Sequence, residues 1–230
     1  MSKSESQIVE ELERNYPQGP PTDSAVRSQA FEYLPRHWTD RWPRGLPVPE
    51  SLQTAERKRV RRSDLFIQAQ HASSDEAILN FYVAMCGWGT GTKAQRVARC
   101  LRPLHEQGAV AALRRAYDAA QSQSPVEAYR RLNTLGEDRI KYFGPAFFTK
   151  WLYFSAYDAE ATRQRHLPLI LDARVASALG CKTSGWRSRD YGRYLDIVAQ
   201  LSEAWRGPTE PLVIEYALFQ LDSTTGHSSI

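Results

Sequence analysis

The chain has 230 residues, with 30 Lys and Arg against 26 Asp and Glu, for a net charge of +4 and a pI near 9.0. That length supports one large or two small cores, and 42% hydrophobic with 24% charged residues is globular rather than disordered or fibrous composition. Cys86, Cys100 and Cys181 are too few for a disulfide framework, a zinc ribbon or a four-cysteine iron–sulfur cluster. No apolar run is long enough to span a bilayer and no leader-like apolar region opens the chain, so a cytoplasmic protein is expected.

In chain order, "ESQIVEELERN" (5–15) reads as a short charged helix. A Pro-rich, partly irregular arm follows and runs to about residue 50, with Trp38 and Trp42 expected to drape it over a core. "ERKRVRR" concentrates basic residues at Arg57–Arg62 and reads as a solvated helix face. From Ser74 the helical pattern becomes regular. "SSDEAILNFYVAMCG" has cap residues first and a glycine stop, and "TKAQRVARCLRPLHEQG" breaks at Pro103. "AVAALRRAYDAAQSQ" is a further helix. "SPVEAYRRLNTLG" has Ser124 as N-cap, Pro125 in the first turn, Glu127 closing a capping box and Gly136 as the stop. "DARVASALG", "DYGRYLDIVAQLSEAW" and "PLVIEYALFQL" complete a helical region expected over 51–222, ahead of a flexible tail at 223–230. No segment shows convincing period-2 alternation. The class is all-α.

Several chemistries fail on spacing. "CGWGTGTK" places Lys93 after Thr92 rather than after the second glycine, and follows a helix, so it reads as a glycine-rich turn and not a phosphate loop. His37, His71, His105, His166 and His227 are isolated, which leaves no metal site, and there is no G-x-S-x-G elbow for a nucleophilic serine.

"RIKYFGPAFFTKWLYF" (139–154) is different. It reads as helix, tight turn, helix with both arms amphipathic and a basic rim at Arg139, Lys141 and Lys150. Gly144 is suited to positive φ and Pro145 to the first turn of a new helix. The first N–H groups of that helix, at Ala146, Phe147 and Phe148, would face an anion with the helix dipole behind them. Phe147, Trp151 and Phe154 follow i, i+4, i+7 and are expected in the core. Downstream, an apolar run ends in a lone carboxylate, Asp172, at a helix start. Taken alone, Asp172 is a helix cap.

The combination "FGPAFFTKWLYF…LILDARVA" resembles the helix-hairpin-helix DNA glycosylases, and within them the 8-oxoguanine branch and its bacterial relatives. The resemblance covers about residues 137–180, with the hairpin at about 137–155 and the aspartate loop at about 165–180. It implies a multi-helix fold with a DNA-binding cleft between two helical subdomains. It also implies a hairpin that holds a phosphate through the N–H groups of Phe143, Gly144 and Ala146, often with a bound monovalent cation, and Asp172 as the catalytic carboxylate. No other cofactor, no metal and no obligate protein partner is implied; the partner is double-stranded DNA. The family's first hairpin glycine is Tyr142 here, and its Schiff-base lysine falls on Ala146, which implies a monofunctional enzyme, with Lys150 one turn later as a rival amine. The spacing from Gly144 to Asp172 is long for the family and points to an insertion at 156–166.

On this reading Asp172 stabilises the cationic sugar formed when an N-glycosidic bond breaks, or activates the attacking water. Trp88, Tyr153 and Trp186 are candidates for stacking on the extruded base, and Arg187 and Arg189 for backbone contacts. Two substrates are consistent with the residues: an oxidised purine, as in base-excision repair, and a hypermodified base such as glucosylated hydroxymethylcytosine in phage DNA, as in antiviral defence. A non-catalytic DNA-binding module, with Asp172 only a cap, is the alternative.

Overall fold

A computed structural model describes residues 3–156 and 167–225, with side chains as far as Leu221. His166, His227, the expected insertion apart from Ala156, and most of the expected tail lie outside the described residues.

The described residues form twelve α-helices and one two-stranded ribbon. Helix α1 (Glu5–Asn15) starts at Ser4, whose hydroxyl accepts the Gln7 N–H while the Gln7 side chain accepts the Ser4 N–H, a complete capping box. The arm is more regular than its composition suggests. It holds α2 (Asp23–Ser28), β1 (Ala30–Tyr33) and α3 (Arg36–Thr39), and Trp38 is fully buried beneath it. β1 pairs antiparallel with β2 (Lys58–Arg61), so the basic run is a strand and not a helix face. Four residues per strand are too few for an alternation pattern to stand out, which is why the ribbon is silent in the sequence. β2 leads directly into α4 (Arg62–Gln70).

α5 (Asp75–Thr90), capped by Ser74, runs straight through Gly87 and Gly89 and stops at Gly91, where φ is +66. The two glycines serve approach, not termination. A Cβ on Gly87 would come within 2.6 Å of the Tyr33 ring, and one on Gly89 within 3.3 Å of the Phe147 ring and 3.5 Å of the Lys150 stem. Gly87→Ala is therefore expected to destabilise by about 1–3 kcal/mol, because the overpacking outweighs the roughly 1 kcal/mol that alanine contributes to a helix interior. Urea midpoints check this; an unchanged midpoint would show that Tyr33 gives way freely.

α6 (Ala94–Leu101) passes into a short 3-10 turn at Arg102–His105, as Pro103 requires, and α7 (Ala109–Ser122) follows. α8 (Pro125–Leu132) begins at Ser124 as expected but ends at Leu132, four residues before Gly136. No capping box closes at Glu127, whose side chain pairs with Arg130 instead. The stretch from Asn133 to Gly144 is a chain of turns, so the first arm of the hairpin is not a helix. It is pinned by the buried Asp138, which accepts from Arg115 Nε at 2.5 Å and Arg131 Nε at 2.7 Å.

α9 (Pro145–Ala156) is not amphipathic. Every residue from Phe148 to Ala156 is buried, because α4, α5, α7 and α8 all pack against it. Only Phe147 of the expected aromatic stripe is part-exposed. α10 (Ala173–Ala178), α11 (Ser188–Ala204) and α12 (Pro211–Thr225) close the fold, with α10 on α12 and α11 on α8. No described helix is long and apolar enough to cross a membrane.

Candidate active site

Asp172 and Lys150, far apart in the chain, meet. Asp172 caps α10, its Oδ1 accepting the N–H groups of Arg174 and Val175 at 3.1 and 3.2 Å. Its other oxygen, Oδ2, lies 3.2 Å from Lys150 Nζ, which also donates to the Ala146 carbonyl at 2.8 Å. The two side chains are only 14% and 8% exposed. Burial alone would push the Asp172 carboxyl up, but the Lys150 ammonium and the two helix N–H groups outweigh it and hold it below the ordinary carboxylate value.

The carboxylate is positioned by hydroxyls. Residues 168–171 are buried but belong to no helix or strand. Thr149 on α9 accepts the Leu171 N–H at 3.1 Å, and the Tyr191 hydroxyl both accepts the Leu169 N–H and donates to the Leu169 carbonyl. Tyr194 donates to the Ile170 carbonyl at 2.7 Å. Three side chains thus supply what a strand neighbour would otherwise provide.

A second buried pair sits close enough for its charges to be felt. Arg62, 1% exposed, donates to Glu215 Oε2 at 2.8 Å, to the Tyr153 hydroxyl at 3.0 Å and to Gln29 Oε1. Its guanidinium lies 5.3 Å from the centres of both the Trp88 and Tyr153 rings. Burial pushes the Glu215 carboxyl up, Arg62 pulls against it, and Asp172 and Lys150 add smaller opposing effects. The Gln29 amide nitrogen is buried and has no hydrogen-bond partner among the described residues. Trp88 and Tyr153 are therefore brought together around Arg62. Trp186 is elsewhere, held by Lys182 and lining a cleft beside the hairpin turn.

At that turn, the left-handed conformation falls on Tyr142, φ +68, and not on Gly144. Gly144 is instead exposed, and a Cβ there would meet nothing, so the backbone itself faces outward. Of the expected phosphate-facing groups, the Phe143 N–H is taken by the Ile140 carbonyl, and those of Phe147 and Phe148 by the Gly144 carbonyl. The N–H groups of Gly144 and Ala146 have no backbone acceptor among the described residues. The carbonyls of Lys141, Tyr142 and Phe143 likewise carry no backbone N–H there, and are the oxygens a monovalent cation would use. Among the described residues no cluster of His, Cys, Asp or Glu is fit to hold a metal.

The family model described as "Putative 8-oxoguanine DNA glycosylase OGG-like protein" matches residues 24–219. The chain belongs to this family. No curated protein and no solved structure matches it. For an OGG-like chain the substrate to consider is DNA, and the exposed cations bear on it: Arg139, Lys141, Arg187 and Arg189 are all at the surface, Arg187 at the start of α11.

The OGG-like hairpin here keeps a glycine's conformation on a tyrosine, which costs about 1–2 kcal/mol for an L-residue. Tyr142→Gly relieves that strain but loses chain entropy of about 0.5–1 kcal/mol, so stability should change by less than about 1 kcal/mol. Tyr142→Val, β-branched at positive φ, should be clearly less stable. A Gly variant as damaged as the Val variant in urea denaturation would contradict the assigned conformation. The residues that sequence reasoning missed are Thr149, Tyr191, Tyr194, Gln29, Arg62 and Glu215. Of these, Thr149 lies within the hairpin segment, where the sequence assigns it no role, and Arg62 within the basic run, where it reads as solvated.

Proposed function

We propose that the chain excises a damaged or modified base from double-stranded DNA, with Asp172 and Lys150 acting at the sugar C1′. The observation that carries this reading is the Lys150 amine 3.2 Å from Asp172 Oδ2, one turn into the helix that the hairpin turn starts. The target base must leave the stack, at a cost of about a few kcal/mol, which phosphate contacts to Gly144, Ala146 and the surrounding cations offset. As the C1′–N bond breaks, its electron pair leaves with the base and the sugar becomes oxocarbenium-like; the Asp172 carboxylate stabilises that charge.

The departing base needs a proton, and the Lys150 ammonium is a donor at hand. Having given it, the amine adds its lone pair to C1′; a proton then passes from that nitrogen to the ring oxygen O4′ as the C1′–O4′ bond breaks, leaving a protonated Schiff base and an open sugar. A monofunctional enzyme, expected from Ala146 at the family's lysine position, would use water deprotonated by Asp172 instead. The proximity of the Lys150 amine to Asp172 favours the covalent route. An oxidised purine is the first substrate to consider, since the family description names 8-oxoguanine. The reaction is read as cytoplasmic and as needing no obligate protein partner.

The test incubates the chain with duplexes bearing 8-oxoguanine, and separately with phage DNA bearing glucosylated hydroxymethylcytosine, with and without borohydride. Mass spectrometry identifies the released base. A covalent adduct with the wild type and none with Lys150→Gln supports the amine; base release with no adduct returns the monofunctional reading. Tight binding without release from either DNA makes the chain a binding module.

A further inference from the structure

From Ala77 to His105 the chain has no Asp or Glu, yet Lys93, Arg96, Arg99 and Arg102 recur at every third position. α6 and the 3-10 turn after it place all four at the surface, while Val97, Cys100 and Leu101 turn into the core. Side chains three apart adjoin on a helix, so the four make a strip that winds slowly around it. None forms an ion pair among the described residues. Some other surface arginines, such as Arg27, Arg57 and Arg130, each have a carboxylate, whereas here four successive cations lack one. A strip of like charges repels itself and has no carboxylate to offset that among the described residues, which points outward to an anionic partner.

The strip is joined to the candidate active site. The Arg102 guanidinium lies 4.2 Å over the ring of Tyr142, the strained residue of the hairpin turn, and Lys141 Nζ is 4.9 Å from the same ring. Arg99 and Tyr142 share an apolar cleft of about 310 Å³ with Gly144, Ala146 and Ala173, the residue after Asp172.

We infer that Lys93, Arg96, Arg99 and Arg102 form a second DNA-backbone contact, continuous through Tyr142 with the hairpin turn, along which the duplex lies. The choice of duplex DNA as partner rests on the glycosylase reading. Tyr142 holds the end of the strip against the turn, which accounts for a large side chain where a glycine would relieve strain.

Fluorescence anisotropy of a short labelled duplex across a salt series tests this with the full chain. Arg96→Gln/Arg99→Gln should bind about tenfold or more weakly at low salt, and its slope of log affinity against log salt should fall by about 0.9 for each cation removed. Arg96→Lys/Arg99→Lys keeps both charges and should retain the slope, which separates lost charge from a damaged helix. Arg14→Gln, on α1, is the control for net charge. Wild-type affinity and slope in the Gln variant, an equal loss in Arg14→Gln, or no duplex binding by the wild type would each overturn the proposal. If the Gln variant loses slope while the wild type releases no base, the strip stands and the glycosylase reading falls. Base release with an unchanged slope does the reverse.

Discussion

Asp172→Asn is expected to slow single-turnover base release by at least about a hundredfold, the usual effect of removing one electrostatic stabiliser, about 2.7–4 kcal/mol. The substitution separates chemistry from architecture. Asparagine also caps helices and keeps an oxygen for the Arg174 and Val175 N–H groups, so α10 should remain. What disappears is the charge. Lys150 loses a counter-ion but keeps the Ala146 carbonyl, so the fold should survive with a modest loss. Lys150→Gln is expected to abolish the borohydride adduct as well as slowing release. Wild-type rates within a few-fold for Asp172→Asn would leave the aspartate a cap and nothing more.

The same residue has a signature in stability against pH. Its carboxyl sits below the ordinary value of 3.8 in the folded chain, so just below that pH the unfolded chain binds more protons. Its stabilising contribution is therefore complete above that value and lost as pH falls through the folded one. Below pH 3.8 the wild type should lose stability more steeply than Asp172→Asn, as read from urea midpoints.

Glu215→Leu is expected to cost about 3–5 kcal/mol, the usual penalty for leaving one partner of a buried pair alone. The two halves of the pair are unequal. Arg62 cannot shed its charge, so without Glu215 it stays a cation at 1% exposure. Glu215 can take up a proton, and burial already pushes its carboxyl in that direction. Arg62→Met should therefore be milder in acid and worsen as pH rises through the raised Glu215 value. Changing both residues together should recover part of the single-mutant loss. A Glu215→Leu chain within about 1 kcal/mol of wild type would mean that the pair is hydrated rather than sealed.

The parts of the fold legible in the sequence are those set by neighbours a few residues apart. Ser74, Ser124 and Asp172 each cap the helix that follows, because a cap acts over two or three residues. The start of α9 at Pro145 and the cap at Asp172 are legible for the same reason, whereas the turns of the first arm are not. Burial decided by distant partners was not. Arg62 looks like one more cation in a basic run until Glu215, on the last helix, takes its charge. Tyr191 and Tyr194 look like packing residues of α11, and nothing local says that their hydroxyls hold residues 169 and 170. Lys150 reads from the sequence as a rim cation and a rival amine because the second arm looks amphipathic, whereas four helices pack against that arm.

That enclosure determines what can move. α9 has no free face beyond its first turn, and the residues before Asp172 are tied to it and to α11 by hydroxyls. Among the described residues, the amine and the carboxylate both rest on tightly packed elements rather than on one that could swing toward a substrate. In an amide-exchange experiment Lys150 and Leu171 should belong to the slowest class, opening only when the whole core does. The adjustments that bring sugar and protein into register then fall to the DNA, whose backbone must bend to a fixed pair, and duplexes that bend easily should be processed faster than stiff ones.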